Sequence, residues 1–265
     1  VTQTATLPDR AFLSGDAVTG LSRLAGAGRI MAVLSAPGAL LERIGPLDSV
    51  TAEDGWLCLN GAAHNARLRL DALAAVVVDR TPRMRDKPMP RVELQAADGT
   101  ALMTLHALDG GEGLDAALGP LMRDQAPARI LPEPAAPRAP QQAGAELLEM
   151  LQAAGLEAEI LLTTTHAAQR YRGTLPALRA MGEHQNLIQS DFHLHLADAA
   201  VRRWRRQALP DGGMRLHAEA EDGSPLGLTI TLSSIAIAQL PSLAPLEALD
   251  AGVGSGPRRP AGVGC

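Results

Sequence analysis

The chain has 265 residues, enough for one large domain or two moderate ones, either of which can bury a real core. Its net charge of −5 and pI near 5.8 exclude a surface built mainly to grip nucleic acid, which needs dense positive charge. Aromatic residues make up only 2%, namely Phe12, Trp56, Tyr171, Phe192 and Trp204, too few for base-stacking platforms.

The two cysteines, Cys58 and Cys265, suggest neither a disulfide framework nor a zinc site, so a reducing cytoplasm is the expected compartment. No basic-then-apolar segment opens the sequence and no apolar run of about 18 residues occurs, so membrane insertion is not expected. Arginine is abundant while Lys87 is the only lysine, which looks like base-composition bias and lowers the weight of any single arginine.

In chain order, Asp16 to Gly28 reads as a short helix with Val18, Leu21 and Leu24 as its apolar stripe. Arg29 to Leu34 reads as a buried strand, and Pro37 to Leu41 as a turn or helical turn. Trp56 to Asn60 alternates and then turns at Asn60-Gly61. Gly113 to Met122 reads as a closing helix. The prolines between Asp124 and Gly144 remove amide donors and mark a semi-extended linker. Beyond it, Ala145 to Ala154 is an amphipathic helix, Glu157 to Thr163 a strand, and Gln169 to Gly173 its returning partner. The tail from Pro241 onward, rich in Pro and Gly, reads as disordered.

One cassette is written twice, at Asn65 to Leu108 and at Asp191 to Leu232. Each copy opens with an alternating strand, Leu68-Arg69-Leu70 or Leu194-His195-Leu196, and continues through an apolar stretch and a broken turn. Each then has a second strand, an Asp-Gly turn (Asp98-Gly99, Asp222-Gly223) and a last strand. The pattern predicts an α+β fold of two tandem repeats, each a mostly antiparallel β-sheet with a few flanking helices. The expected division is a first repeat over 1–123, a Pro-rich linker over 124–144, a shortened second repeat over 145–240 and a disordered tail over 241–265.

Few residues suggest chemistry. His193 and His195 share a strand face, with His184 or His217 as the nearest further ligand; a hydrogen-bonded histidine face is favoured over a metal, since structural sites need three or four ligands. Arg202, Arg203, Arg205 and Arg206 around Trp204 form a basic cluster whose guanidinium forks suit carboxylate or phosphate, although a solvated face is the simpler expectation. No Gly-rich phosphate loop, nucleophile elbow or Cys–His pair is present.

The cassettes resemble a known family. Gly28 to Val33, Leu68-Arg69-Leu70 and Arg91 to Leu94 through Asp98-Gly99 resemble the first repeat of the cytoplasmic haemin-degrading or haemin-transport factors of the HemS/ChuS type. Arg172-Gly173-Thr174, Leu178, Met181-Gly182, Asn186, Phe192 to Leu196 and Trp204 resemble the second. The resemblance covers most of Asp16 to Thr231 and rests on the order and spacing of these stretches in both halves. It implies two similar sheet units, haem held through an apolar slot, an imidazole on the iron and basic groups on the propionates.

Carried over residue by residue, the resemblance keeps Arg69 as the first-repeat arginine and Arg206 from the basic pair, with Gln207 where a lysine is usual. Asp71 replaces a pocket-wall Phe, and no histidine lies between His106 and His166, so the usual iron ligand is missing and His166 or His184 is expected to substitute. His195 matches a common family position and is expected to hydrogen-bond a neighbouring strand. The implied role is haem binding for intracellular trafficking or utilisation in bacterial iron acquisition, with haem as ligand and the haem-uptake transporter as a further partner. Haem degradation is the enzymatic alternative, and a degenerate structural or interaction protein the haem-free one.

Overall fold

The structure, a computed structural model, describes residues 7–129, 143–197 and 200–240. These residues cluster into two units, divided after Leu34 and again after Leu41, so that Ser35–Leu41 groups with the second unit. Most of the expected linker and all of the expected tail lie outside the described residues; the linker's first residues, Asp124 and Gln125, are in a strand.

Unit 1 runs through β1 (Arg10–Leu13), α1 (Ala17–Ser22), β2 (Arg29–Ala36) up to Leu34, β3 (Ala39–Pro46) from Glu42, β4 (Ser49–Glu53), β5 (Trp56–Asn60) and β6 (Asn65–Arg69). It continues with β7 (Ala75–Asp79), the short β8 (Arg83–Met84) and β9 (Lys87–Pro88), β10 (Arg91–Gln95), β11 (Ala101–Ala107), α2 (Glu112–Leu118) and β12 (Met122–Gln125). Unit 2 runs through α3 (Ala143–Ala153), β13 (Glu157–Thr163), β14 (Ala167–Thr174), β15 (Leu178–Met181), β16 (His184–Gln189) and β17 (Phe192–Ala197). It ends with β18 (Arg203–Ala208), β19 (Met214–Glu219), β20 (Pro225–Leu232) and α4 (Ser234–Ala238).

The duplication is visible strand by strand. The hydrogen-bonded order β7-β10-β11-β2-β3 in the first repeat is matched by β18-β19-β20-β13-β14 in the second. The meander β4-β5-β6 is likewise matched by β15-β16-β17. The described pairings within each unit are antiparallel, as the short connections require. The α+β repeat architecture is therefore as expected.

Both Asp-Gly turns close in the same way. Gly99 and Gly223 take φ of +81° and +80°, and their amides donate to Ala96 and Ala220 carbonyls at 3.0 Å. Asp98 and Asp222 accept from the amides of Thr100 and Ser224 at 2.9 Å. Only the glycine needs left-handed backbone, so each is a three-residue loop with a bulge rather than the two-residue turn that Asn-Gly and Asp-Gly pairs often form.

Other expectations need correction. α1 ends at Ser22, well short of Gly28, although Asp16 caps it by accepting from the Thr19 amide at 2.7 Å. Residues 39–41 belong to a strand, because Pro37-Gly38 is a tight hairpin turn. The strand through Leu68 stops at Arg69, and Leu70–Ala72 form a 3-10 turn. β1, β4, β12 and β16 had no strong alternation to reveal them. Cys58 is buried in β5. No helix among the described residues is long and apolar enough to cross a membrane.

Candidate functional site

Alternation divides each sheet into an apolar and a polar face. In β13 the even-numbered Ala158, Ile160 and Leu162 are buried, while Glu159, Leu161 and Thr163 are half-buried on the other side. The chemistry of both units lies on that second face.

In unit 1 the polar face is a closed ion network. Arg10 on β1 donates to Asp79 at 2.6 Å, to Glu93 at 3.0 and 3.3 Å and to the Pro127 carbonyl at 2.8 Å. Arg91 pairs with Asp79 at 2.8 Å and with Glu93 at 2.9 Å, and Gln95 donates to Glu93 at 2.7 Å. Two guanidinium groups thus face two carboxylates, and a third, that of Arg129, approaches Glu93 at 3.8 Å. Burial alone would raise the pKa of Asp79 and Glu93, but it is outweighed: Thr81, Arg91 and Arg10 act on Asp79, while Arg10, Arg91 and Gln95 act on Glu93, and both sit below the usual range.

His106, opposite Arg91 on β11, is 9% exposed; its Nε2 meets Thr104 Oγ1 at 3.2 Å, and its Nδ1 has no partner among the described residues. Burial first, and then the Arg91 charge, push its pKa down to about 4 from an ordinary 6.5. A depressed histidine means that the unfolded chain takes up the proton first as pH falls. Stability is therefore full above pH 6.5 and drains away towards pH 4, by a total on the order of 3 kcal/mol from this group. Thermal melts across that window should show the loss, and His106→Gln should flatten it; an unchanged acid limb in the variant would remove the assignment.

The residues singled out in the sequence do not gather at one point. Arg69, at the end of β6, is exposed and engages Asp71 in a tight ion pair, with its guanidinium carbon 5.7 Å from the Trp56 ring centroid. Arg67 lies closer over the same ring, at 4.4 Å. Arg206 and His166 are set apart by strand order: β18 and the β13–β14 loop are separated by β19 and β20. Arg206 Nε and His166 Nδ1 are both buried without a partner among the described residues. His184 is exposed at the start of β16.

Strand parity also splits the basic cluster. Trp204 is buried at 2% exposure and Arg206 shares its side, whereas Arg203 and Arg205 point to the polar face and hold Glu219 at 2.6 and 2.8 Å. His193 and His195 do share a face, with ring centroids 5.9 Å apart, opposite buried Phe192, Leu194 and Leu196. His195 Nδ1 meets Asn186 Oδ1 on β16 at 2.5 Å, the expected bond to a neighbouring strand.

The remaining polar face of unit 2 escaped the sequence reading. Across its strands run Arg205, His217, Thr229, Leu161 and Arg170 in one row, and Gln207, Arg215, Thr231, Glu159 and Arg172 in the next. Only the register could reveal those rows, because their members lie up to 72 positions apart on five strands.

Comparison with solved structures matches this architecture to a known one. The haem-degrading enzyme ChuS of Escherichia coli O157:H7 superposes with a TM-score of 0.72 at 17% identity, covering 91% of this chain and 87% of that one. This is the ChuS fold. PhuS, a haem-binding protein of Pseudomonas aeruginosa in its holo form, matches with a TM-score of 0.70 at 18% identity over 88% of this chain and 86% of its own. A second ChuS structure, described as an E. coli haem oxygenase, gives 0.70 at 18% identity over 88% and 89%. No protein-family model and no curated protein sequence matches the chain. The ChuS fold thus holds across nearly the whole length, while sequence identity this low leaves the site chemistry to be argued from the residues themselves.

Proposed function

We propose that the protein binds haem and serves its intracellular trafficking or utilisation in bacterial iron acquisition, as a carrier rather than a catalyst. One observation carries the reading: the backbone follows ChuS over 91% of the chain, and the proteins with this backbone bear names of haem binding or haem degradation. Arg69 supports it, because its pair with Asp71 is exposed at 46% and 63% of the two side chains, and such pairs hold a guanidinium by only about 0–1 kcal/mol. An incoming anionic macrocycle could therefore recruit it. Arg206 would offer its terminal amino groups to a haem carboxylate. Iron ligation would fall to His166, whose Nδ1 is already desolvated without a partner, or to the exposed His184. The cytoplasm and a haem-uptake transporter are the compartment and donor that this role requires.

Haemin titration followed by absorbance tests the reading. The expected result is a Soret shift that saturates near one equivalent, with Arg69→Ala weakening binding by about tenfold, as loss of a charged contact does. A changed Soret position in His166→Ala or His184→Ala would assign the ligand. No shift at stoichiometric haemin ends the proposal, and unchanged affinity in Arg69→Ala would mark the binding as adventitious, in favour of a structural or interaction role. The second reading, haem degradation, is favoured by the ChuS names; loss of the Soret band with a tetrapyrrole product after addition of a reductant in air would establish it.

A further inference from the structure

We propose that Arg215 on β19 and Gln207 on the neighbouring edge strand β18 form a binding site for a small oxyanion, a phosphate or a carboxylate. Matching the Asp-Gly turns places Arg215 where unit 1 has Arg91 and His217 where it has Glu93. The cross-strand partner of Arg91 is Asp79, and that of Arg215 is Gln207. The arginine has been kept while both of its carboxylates have been replaced by neutral groups.

The consequences are visible in the contacts. Arg91 is held by two carboxylates at 2.8 and 2.9 Å. Arg215 has a single bond, from Nε to Thr231 Oγ1 at 3.3 Å, and no carboxylate partner among the described residues. Its two terminal amino groups remain uncommitted. His217 Nε2 donates to Gln207 Oε1 at 3.1 Å, which leaves the Gln207 amide N–H groups as further donors beside the fork. Burial, Arg205 and Arg215 push the His217 pKa down to about 4, so it adds a hydrogen bond and no charge at neutral pH.

The carboxylates on this face near Arg215 are already engaged. Arg203 and Arg205 both pair with Glu219, at 2.6 and 2.8 Å. Glu159 lies two strands from Arg215 in the same row and is engaged by Arg170 at 3.5 Å. Unit 1 also adds β1 beyond β7, bringing Arg10 and closing its network, whereas β18 carries no such covering strand among the described residues. The first repeat therefore has one more arginine-bearing strand at this edge than the second has among the described residues. A fork with two free amino groups and an adjacent amide matches the bidentate geometry of a carboxylate or phosphate. The site needs neither iron nor a porphyrin and stands independently of the haem reading.

Calorimetric titration of the full chain with inorganic phosphate, and separately with acetate, in low-chloride buffer near neutral pH tests it. Saturable binding of at least one anion is expected, and which of them binds more tightly assigns the source. Arg215→Gln should weaken that binding at least tenfold. His217→Glu should do the same for a different reason: it restores the internal carboxylate that Glu93 supplies in unit 1, and a thermal melt like the wild type's would show that the variant folds. Absence of saturable binding for both anions, or His217→Glu and Arg215→Gln binding as the wild type does, overturns the proposal.

Discussion

Replacing Arg10 with Met should lower the unfolding free energy by about 3–5 kcal/mol, the cost of breaking a buried ion network from one side. Asp79 and Glu93 are each only 1% exposed, and Arg10 is 8% exposed. With Arg10 gone, Arg91, helped only by Arg129 at 3.8 Å from Glu93, would face two carboxylates in a place where water cannot solvate them. Met keeps much of the stem's volume, so the effect reads charge rather than cavity. Urea denaturation is the measurement, and Arg10→Met combined with Glu93→Gln should recover part of the loss, because the two sites share a partner. A denaturation midpoint for Arg10→Met within error of the wild type would show that the network is ornamental.

Gly227→Ala should cost about 3 kcal/mol, from two separate sources. Gly227 sits in β20 at φ +76°, a region L-residues avoid, and a Cβ there would lie 2.1 Å from the Thr163 carbonyl oxygen on β13. Backbone cannot swing aside as a side chain can. Gly99 makes the control: its φ is +81°, yet a Cβ would meet nothing within 4 Å. Gly99→Ala should therefore show only the conformational part, about 1 kcal/mol. Equal losses for the two variants would mean that the close approach of β20 to β13 has been misassigned.

Much of the fold could be read from the residues. Alternation located β13 to the residue, since its faces differ in polarity: Ala158, Ile160 and Leu162 against Glu157, Glu159 and Thr163, with Leu161 the one apolar member of the second set. The two Asp-Gly turns announced the repeat, because a three-residue loop of this kind has a local requirement for Gly. The histidine pair on β17 was legible for the same reason, its period of two being a local property. By contrast, β1 and β12 each have four residues, too short for a pattern, and their pairing with each other spans more than a hundred positions.

The candidate sites were much less legible. Arg69 was found by resemblance, but its engagement with Asp71 was not, because Asp71 was read as a lost pocket wall rather than as a counter-ion two residues away. Arg202 to Arg206 looked like one basic cluster; a strand's alternation sends its members to opposite faces, so the cluster exists in the sequence and not on the surface.

What the sequence determined by itself was whatever depends on neighbours along the chain: the period of each strand, the turn glycines, and the writing of one module twice. What only the tertiary structure decided was the charge account of each repeat. Arg91 and Arg215 are equivalent in the sequence pattern, yet one is neutralised and the other is not. Part of the difference, Glu93 against His217, stands two residues along the same strand; the rest, Asp79 against Gln207, lies in which side chain stands opposite across the sheet, because Coulomb energy depends on distance in space rather than on separation along the chain.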